Sequence, residues 1–138
     1  MAQRSAELKQ KLMPFRRPGA LARIAIKAKG KILFIDPSDI VTVQAQDGCV
    51  LLQSRTSSYV LRESISGVAD KLEPYGFIRI HRSVLINSSF VEEMQPQAAG
   101  EHGIRLKGGN EYKVTRTYKR NLKLLAEVWI GSETFLAE

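Results

Sequence analysis

The sequence predicts a mainly β domain: short antiparallel strands, one short helix in the middle and an amphipathic helix near the C-terminal end. Three observations carry that prediction. Short apolar runs rich in Val, Ile and Leu recur along the chain, the composition of half-buried strands. Tight-turn signals separate them: Gly30-Lys31, Asp47-Gly48 and Gly108-Gly109-Asn110. Only two stretches, 64–73 and about 117–130, change to the apolar spacing of a helix.

In chain order, residues 1–22 read as a basic, flexible leader. Leu8 and Leu12 lie one turn apart within Ala6 to Met13, but Pro14 and Pro18-Gly19 stop a helix there, and one so short is marginal alone. The compact body is expected over 23–131, with 132–138 as a tail. Ile24 and Ile26 alternate with Lys27 and Lys29, and Gly30-Lys31 turns the chain into Ile32-Leu33-Phe34-Ile35, a hairpin. Asp36-Pro37-Ser38-Asp39 is a turn or a single helical turn. Ile40 to Gln46, Cys49 to Ser54 and Tyr59-Val60-Leu61 make a three-stranded meander around Asp47-Gly48 and Arg55 to Ser58.

Ile65, Val68, Ala69 and Leu72 fall at i, i+3, i+4 and i+7, with Ser64 as N-cap and Pro74 as stop. Gly67 weakens this helix, so packing must hold it. Phe77 to Asn87 and Phe90 to Met94 are expected as strands around Asn87-Ser88-Ser89, followed by a polar loop from Gln95 to Gly103. Ile104 to Leu106 and Glu111 to Val114 form a third hairpin. A helix from about Thr117 to Ile130 would set Tyr118, Leu122, Leu125 and Trp129 against the sheet, with Arg116, Lys119, Arg120 and Lys123 on the opposite face.

The bulk properties set the class. A chain of 138 residues, 43% hydrophobic, supports one domain with a modest core. No apolar run approaches the ~20 residues that span a bilayer, and the N-terminus lacks the apolar segment of a secretory signal. Cys49 is the only cysteine, which excludes an intramolecular disulfide and points to a reducing cytoplasm. The net charge of +7 is uneven. Residues 1–31 hold nine Lys/Arg against Glu7 alone, whereas residues 32–138 hold twelve against thirteen acids. Nucleic-acid binding by the body must therefore rest on clustering, and Arg116, Lys119, Arg120 and Lys123 form such a cluster. The leader either attracts phosphates without reading sequence or is simply a solvated arm.

The most informative segment is Phe77 to Asn87. Alternation puts Arg79, His81 and Ser83 on one strand face and Ile78, Ile80 and Arg82 on the other, until His81-Arg82-Ser83 breaks the pattern and marks a bend or bulge at the surface. These side chains are suited to phosphates and base edges, and equally to the solvated tip of an edge strand. His81 has a structural alternative, burial with a backbone carbonyl partner. Arg79 could instead pair with Glu92 or Glu93, and Arg116 with an acid. Tyr118 and Trp129 read as core rather than as stacking platforms.

The order of elements, with Ile40 to Ala45, Tyr59-Val60-Leu61-Arg62-Glu63-Ser64-Ile65, Phe77-Ile78-Arg79-Ile80-His81-Arg82-Ser83-Val84-Leu85-Ile86-Asn87 and Lys113-Val114-Thr115-Arg116-Thr117-Tyr118, resembles the LytTR family of bacterial DNA-binding domains over roughly residues 24–127. The resemblance implies an elongated stack of short antiparallel strands that lays loops into successive major grooves, with a minor groove between, on tandem direct repeats in promoters. His81, Arg82 and Ser83 match the motif whose loop approaches the DNA backbone and minor groove. Thr115 and Arg116 match a Ser/Thr-Arg pair at a major groove. The next family position is often basic; here it is Thr117, so Lys119 or Arg120 would supply that contact. The DNA-contacting loop between two strands of the meander corresponds to Gln46, Asp47, Gly48 and Cys49, and Arg79 completes the set. Family members often carry a receiver domain or a membrane-embedded sensor. Neither is read in this sequence, so a separate signalling partner is one candidate source of control and a further domain beyond the given sequence another. Duplex DNA, with a second protomer on it, is the expected partner; no cofactor, metal or membrane is.

Other classes have less in the sequence to support them. An enzyme would have to use His81 or His102 with an acid, and no G-x-S-x-G, phosphate-binding loop or H-E-x-x-H is present. Cys49, His81 and His102 have no metal-ligand spacing. A non-catalytic protein- or ligand-binding sensor module, and a non-specific nucleic-acid binder using the leader, remain as alternatives.

Overall fold

In the computed structural model of the protein, residues 23–132 and Phe135 are described. The leader over 1–22 and most of the tail lie outside them. Ten antiparallel strands form three sheets, with few and short helices between. β1 (Ile24–Ala28) and β2 (Lys31–Ile35) are the expected hairpin, but it turns at Lys29 and Gly30, both at positive φ, rather than at Gly30-Lys31, and Lys31 pairs with Ala28. A 3-10 turn at Pro37–Asp39 follows, where the Ser38 amide donates to the Asp36 carboxylate at 2.9 Å.

β3 (Ile40–Gln46), β4 (Cys49–Ser54) and β5 (Ser58–Leu61) form the meander. α1 (Ile65–Leu72) begins where the Gly67 amide donates to Ser64 Oγ at 3.0 Å. Its apolar stripe buries Val68 and Leu72, with Ile65 and Ala69 packed beside them. Pro74 ends the α-helix, but the chain makes one further 3-10 turn, Glu73–Tyr75, before β6.

Phe77 to Asn87 is not one strand. It is two, β6 (Phe77–His81) and β7 (Val84–Asn87), folded back on each other across Arg82 and Ser83. The expected surface irregularity is present: the register slips between Arg79 and His81. The apolar residues on both faces of these strands have a physical cause. The five-stranded sheet has the order β5-β4-β3-β7-β6 and is covered on both faces. Phe77 and Leu85 join the core of α1 and the first hairpin, whereas Ile78, Ile80 and Ile86 join a second core with Phe90, Ile104, Leu106, Val114 and Leu122. Each such fully buried side chain contributes about 1.5–3 kcal/mol.

A 3-10 turn at Ser88–Phe90 leads to β8 (Val91–Pro96), β9 (His102–Leu106) and β10 (Glu111–Val114), a three-stranded sheet in the order β10-β9-β8. The polar loop expected from Gln95 to Gly103 is shorter than its composition implied. Gln95 pairs with Gly103 and Pro96 with His102, so the ladder extends into it and only 97–101 remains, including a turn at Ala98–Gly100. Pro96 is tolerated because β8 is an edge strand.

The last element differs most. The expected α-helix from Thr117 to Ile130 is a 3-10 segment, Arg116–Leu125, after which Ala126 is extended. Leu122 is buried, but Trp129 is 50% and Ile130 89% exposed, so Trp129 does not join the core; it stacks on Phe135 at 5.3 Å. Val128, Trp129 and Ile130 are exposed, so nothing in the sheet extends the helical stripe beyond Leu125. The segment instead covers the outer edge of β6, where Asn121 Nδ2 donates to the Arg79 carbonyl at 2.8 Å.

Candidate nucleic-acid interface

The three sequence motifs come together at one end of the five-stranded sheet. The β3–β4 turn consists of Asp47 and Gly48, at φ 51° and 79°, the two left-handed positions of a type I′ hairpin. That conformation accounts for Asp47, since Asp and Asn tolerate it better than other side chains. Gln46, Asp47 and Gly48 are all exposed. Because β7 pairs with β3 through Gln44 and Val84, the β6–β7 turn lies beside this tip. The Ala45 amide donates to the Ser83 carbonyl at 2.8 Å and joins the two loops directly.

The His81-Arg82-Ser83 turn is pinned by its own neighbours. The Ser83 amide donates to His81 Nδ1 at 3.0 Å, so His81 is half-buried and bonded to backbone, to an amide rather than to a carbonyl. An accepting Nδ1 leaves Nε2 as the ring's donor when the ring is neutral. Arg82 is exposed, and among the described residues its side chain forms no hydrogen bond or salt bridge. Arg79 is different. Its guanidinium donates to Ser66 Oγ on α1 at 3.1 Å and to the Arg82 carbonyl, and it lies 5.6 Å from the Tyr118 ring centroid. It does not meet Glu92 or Glu93. Those acids lie against Arg105 instead, at 3.7 and 2.6 Å.

The third motif is attached to the same strand. The Thr115 amide donates to the Ile80 carbonyl at 3.1 Å, next to His81. Thr115, Arg116, Thr117, Lys119, Arg120 and Lys123 line an open hollow, closed on its far side by the turn at Ala99 and Gly100. Arg116 is exposed and, among the described residues, pairs with no acid. Glu101, which shares the hollow, is taken by Lys113 at 3.3 Å. A Cβ on Gly100, whose φ is +77°, would lie 3.5 Å from the Arg116 stem, so the loop of 97–101 supports this arginine. The hollow holds four cations from one short segment, an electrostatic seat for phosphate or a guanine edge.

Two residues outside the expected set share these surfaces. Arg62, exposed after β5, lines a depression with Gln46, Asp47, Gly48 and Ser83. Its place depends on β5 ending where β4 begins, with Leu61 opposite Val50, a pairing between strands that no local pattern announces. Lys123 was legible as part of the basic cluster, and the hollow gives it the same surroundings as Arg116. Among the described residues no three His, Cys, Asp or Glu side chains gather as a metal site requires, and no helix is long and apolar enough to cross a membrane.

The sequence profile of the LytTr DNA-binding domain matches residues 30–127. The chain is 29% identical over 106 residues to the sensory transduction protein LytT of Bacillus subtilis (strain 168), covering 77% of this chain and 44% of that protein. It is 28% identical over 126 residues to LytT of Bacillus anthracis, covering 91% and 51%. With the transcriptional regulatory protein LytR of Staphylococcus aureus (strain N315) it shares 24% over 100 residues, covering 72% and 41%. The chain thus spans about half the length of these curated relatives or less. A solved LytTr DNA-binding domain from Bacillus cereus superimposes with a TM-score of 0.64 at 17% identity, covering 75% of this chain and 94% of that one, which supports the fold.

Proposed function

The chain belongs to the LytTr DNA-binding domain family, and from that premise we propose that it binds duplex DNA sequence-specifically, as a cytoplasmic transcriptional regulator on tandem direct repeats in promoters. The observation that carries the proposal is the joining of three loops at one end of the sheet through Ala45–Ser83 and Ile80–Thr115. A single strand end supplies the register for all three, so they can meet successive grooves of one duplex face. The family is defined by DNA binding rather than catalysis.

In this reading Arg116 reads a major-groove base edge, with Thr115 and Thr117 on adjacent phosphates and Lys119, Arg120 and Lys123 along the backbone. His81, Arg82 and Ser83 meet the backbone and minor groove. The Gln46-Asp47-Gly48 tip enters a second major groove, where phosphates repel Asp47 but a cytosine amino group would suit it. Residues 1–22 act as a basic leader that adds phosphate attraction to the domain of 23–131. Two protomers stand head to tail on a direct repeat, which needs no two-fold dimer in solution.

Selection of bound fragments from random duplex DNA tests this. A shared motif, repeated at a fixed spacing, is the expected result. Fragments with no common motif would leave only charge-driven binding through the leader, and no retention of any DNA at low salt would favour a protein- or ligand-binding module.

A further inference from the structure

We infer that Arg79 is a positioning residue: it holds the Arg82–Ser83 turn in its DNA-binding shape and ties that turn to α1 and the C-terminal segment, without contacting DNA itself. This rests on the DNA-binding reading above.

Three backbone groups of the turn have a dedicated partner. The Ser83 amide is held by His81 Nδ1, the Ser83 carbonyl by the Ala45 amide, and the Arg82 carbonyl by the Arg79 guanidinium. Only the last of these is a long side chain reaching back from within β6 to the turn. The same guanidinium reaches Ser66 Oγ on α1 at 3.1 Å and packs against Tyr118 of the 3-10 segment. The backbone carbonyl of Arg79 accepts from Asn121 of that segment. One residue thus touches three elements: the turn that presents Arg82, the helix behind it, and the segment that presents Arg116. A planar, multi-donor guanidinium can serve a hydroxyl, a carbonyl and a ring face together, which a lysine ammonium cannot. Both Nη groups are engaged and Nε, which has no partner among the described residues, is buried, so the residue is poorly placed to bind a phosphate. Arg82, exposed on a pinned backbone, is well placed to do so. Holding the turn before DNA arrives lowers the ordering cost of binding.

The test uses the full chain and a duplex recovered by selection. Affinity and its salt dependence are measured for Arg79→Ala, Arg79→Lys, Arg82→Ala and the double variant Arg79→Ala/Arg82→Ala, with melting curves to follow folding. Arg79→Ala should weaken binding by about ten-fold, and the double variant should bind hardly worse than Arg82→Ala alone. Arg82→Ala should lower the salt slope by about 0.9, with no further decrement in the double variant. Arg79→Lys should fail as alanine does. Additive losses with a second decrement in slope, or rescue by lysine, would overturn the proposal in favour of a direct phosphate contact. A loss of affinity that merely tracks the unfolded fraction would also overturn it. If Arg79→Ala does not fold, Ser66→Ala removes only the α1 anchor: a smaller loss, absent in the Arg82→Ala background, is expected, and an unchanged affinity counts against the proposal. Failure of the wild-type chain to select any duplex defeats the DNA-binding reading itself, an outcome distinct from all of these.

Discussion

Arg116 opens the 3-10 segment with its stem against the Gly100 turn and, among the described residues, no acid on its guanidinium. A cation at a helix start gains nothing from the helix dipole, so its folded surroundings do not explain it and a phosphate or guanine edge would. Arg116→Ala should therefore weaken operator binding by about 1–3 kcal/mol while moving stability by less than ~0.5 kcal/mol, read by titration and by denaturant midpoint. Arg116→Lys should not restore a bidentate base contact; if it does, the contact is to phosphate. Asn87 is the opposite case. It is buried, its amide donates to the Ile40 carbonyl at 2.9 Å, and its carbonyl oxygen accepts from the Ser89 amide at 3.0 Å and from Ser89 Oγ at 2.8 Å. Asn87→Ala strands the buried Ile40 carbonyl and should cost about 1–3 kcal/mol of folding stability, seen as a lower urea midpoint at unchanged slope. Sequence reading gave Arg116 a DNA contact and Asn87 a place in a turn, but not the burial of Asn87, which depends on Ile40, distant in the chain.

The elements the sequence made legible are those with local signals. Asp47-Gly48, Lys29-Gly30 and the glycines after Leu106 each reverse the chain where their dihedral angles require it, and Ser64 caps α1. Gly48 gives a clean check. Its φ is +79° and a Cβ there would meet nothing within 4 Å, so Gly48→Ala should destabilise through backbone strain alone, by about 1 kcal/mol. A thermal midpoint unchanged by that substitution would show that the turn adapts at no cost. The elements that were misread depend on distant partners. A strand-forming run such as Phe77 to Asn87, interrupted only by a short polar stretch, reads as one bent strand or two until β3 claims β7. The C-terminal segment carries helical spacing, yet its geometry is set by the edge of β6 that it covers, with Leu122 as its single fully buried side chain. Leu122→Ala should accordingly loosen the whole segment, costing about 2–5 kcal/mol and weakening DNA binding through Arg116 with it.

At the scale of the molecule, charge and fold are distributed differently. The basic excess lies in residues 1–31, whereas the loops proposed to meet DNA belong to a body with nearly balanced charge. Specific recognition and general attraction should therefore be separable. Deleting residues 1–22 removes Arg4, Lys9, Lys11, Arg16 and Arg17 and, of the acids, only Glu7. If those cations sit on phosphates, affinity for the selected operator and for unrelated duplex should fall by similar factors, leaving their ratio unchanged. The slope of log affinity against log salt should shrink by about 0.9 for each phosphate no longer neutralised. The loops fixed by Ala45–Ser83 and Ile80–Thr115 remain in the truncated chain, so the selected motif should not change. An unchanged slope would make the leader a spectator or a docking arm for a protein. A changed ratio would mean that it also reads sequence, for example through an arginine in the minor groove, and the division of labour between arm and body would be wrong.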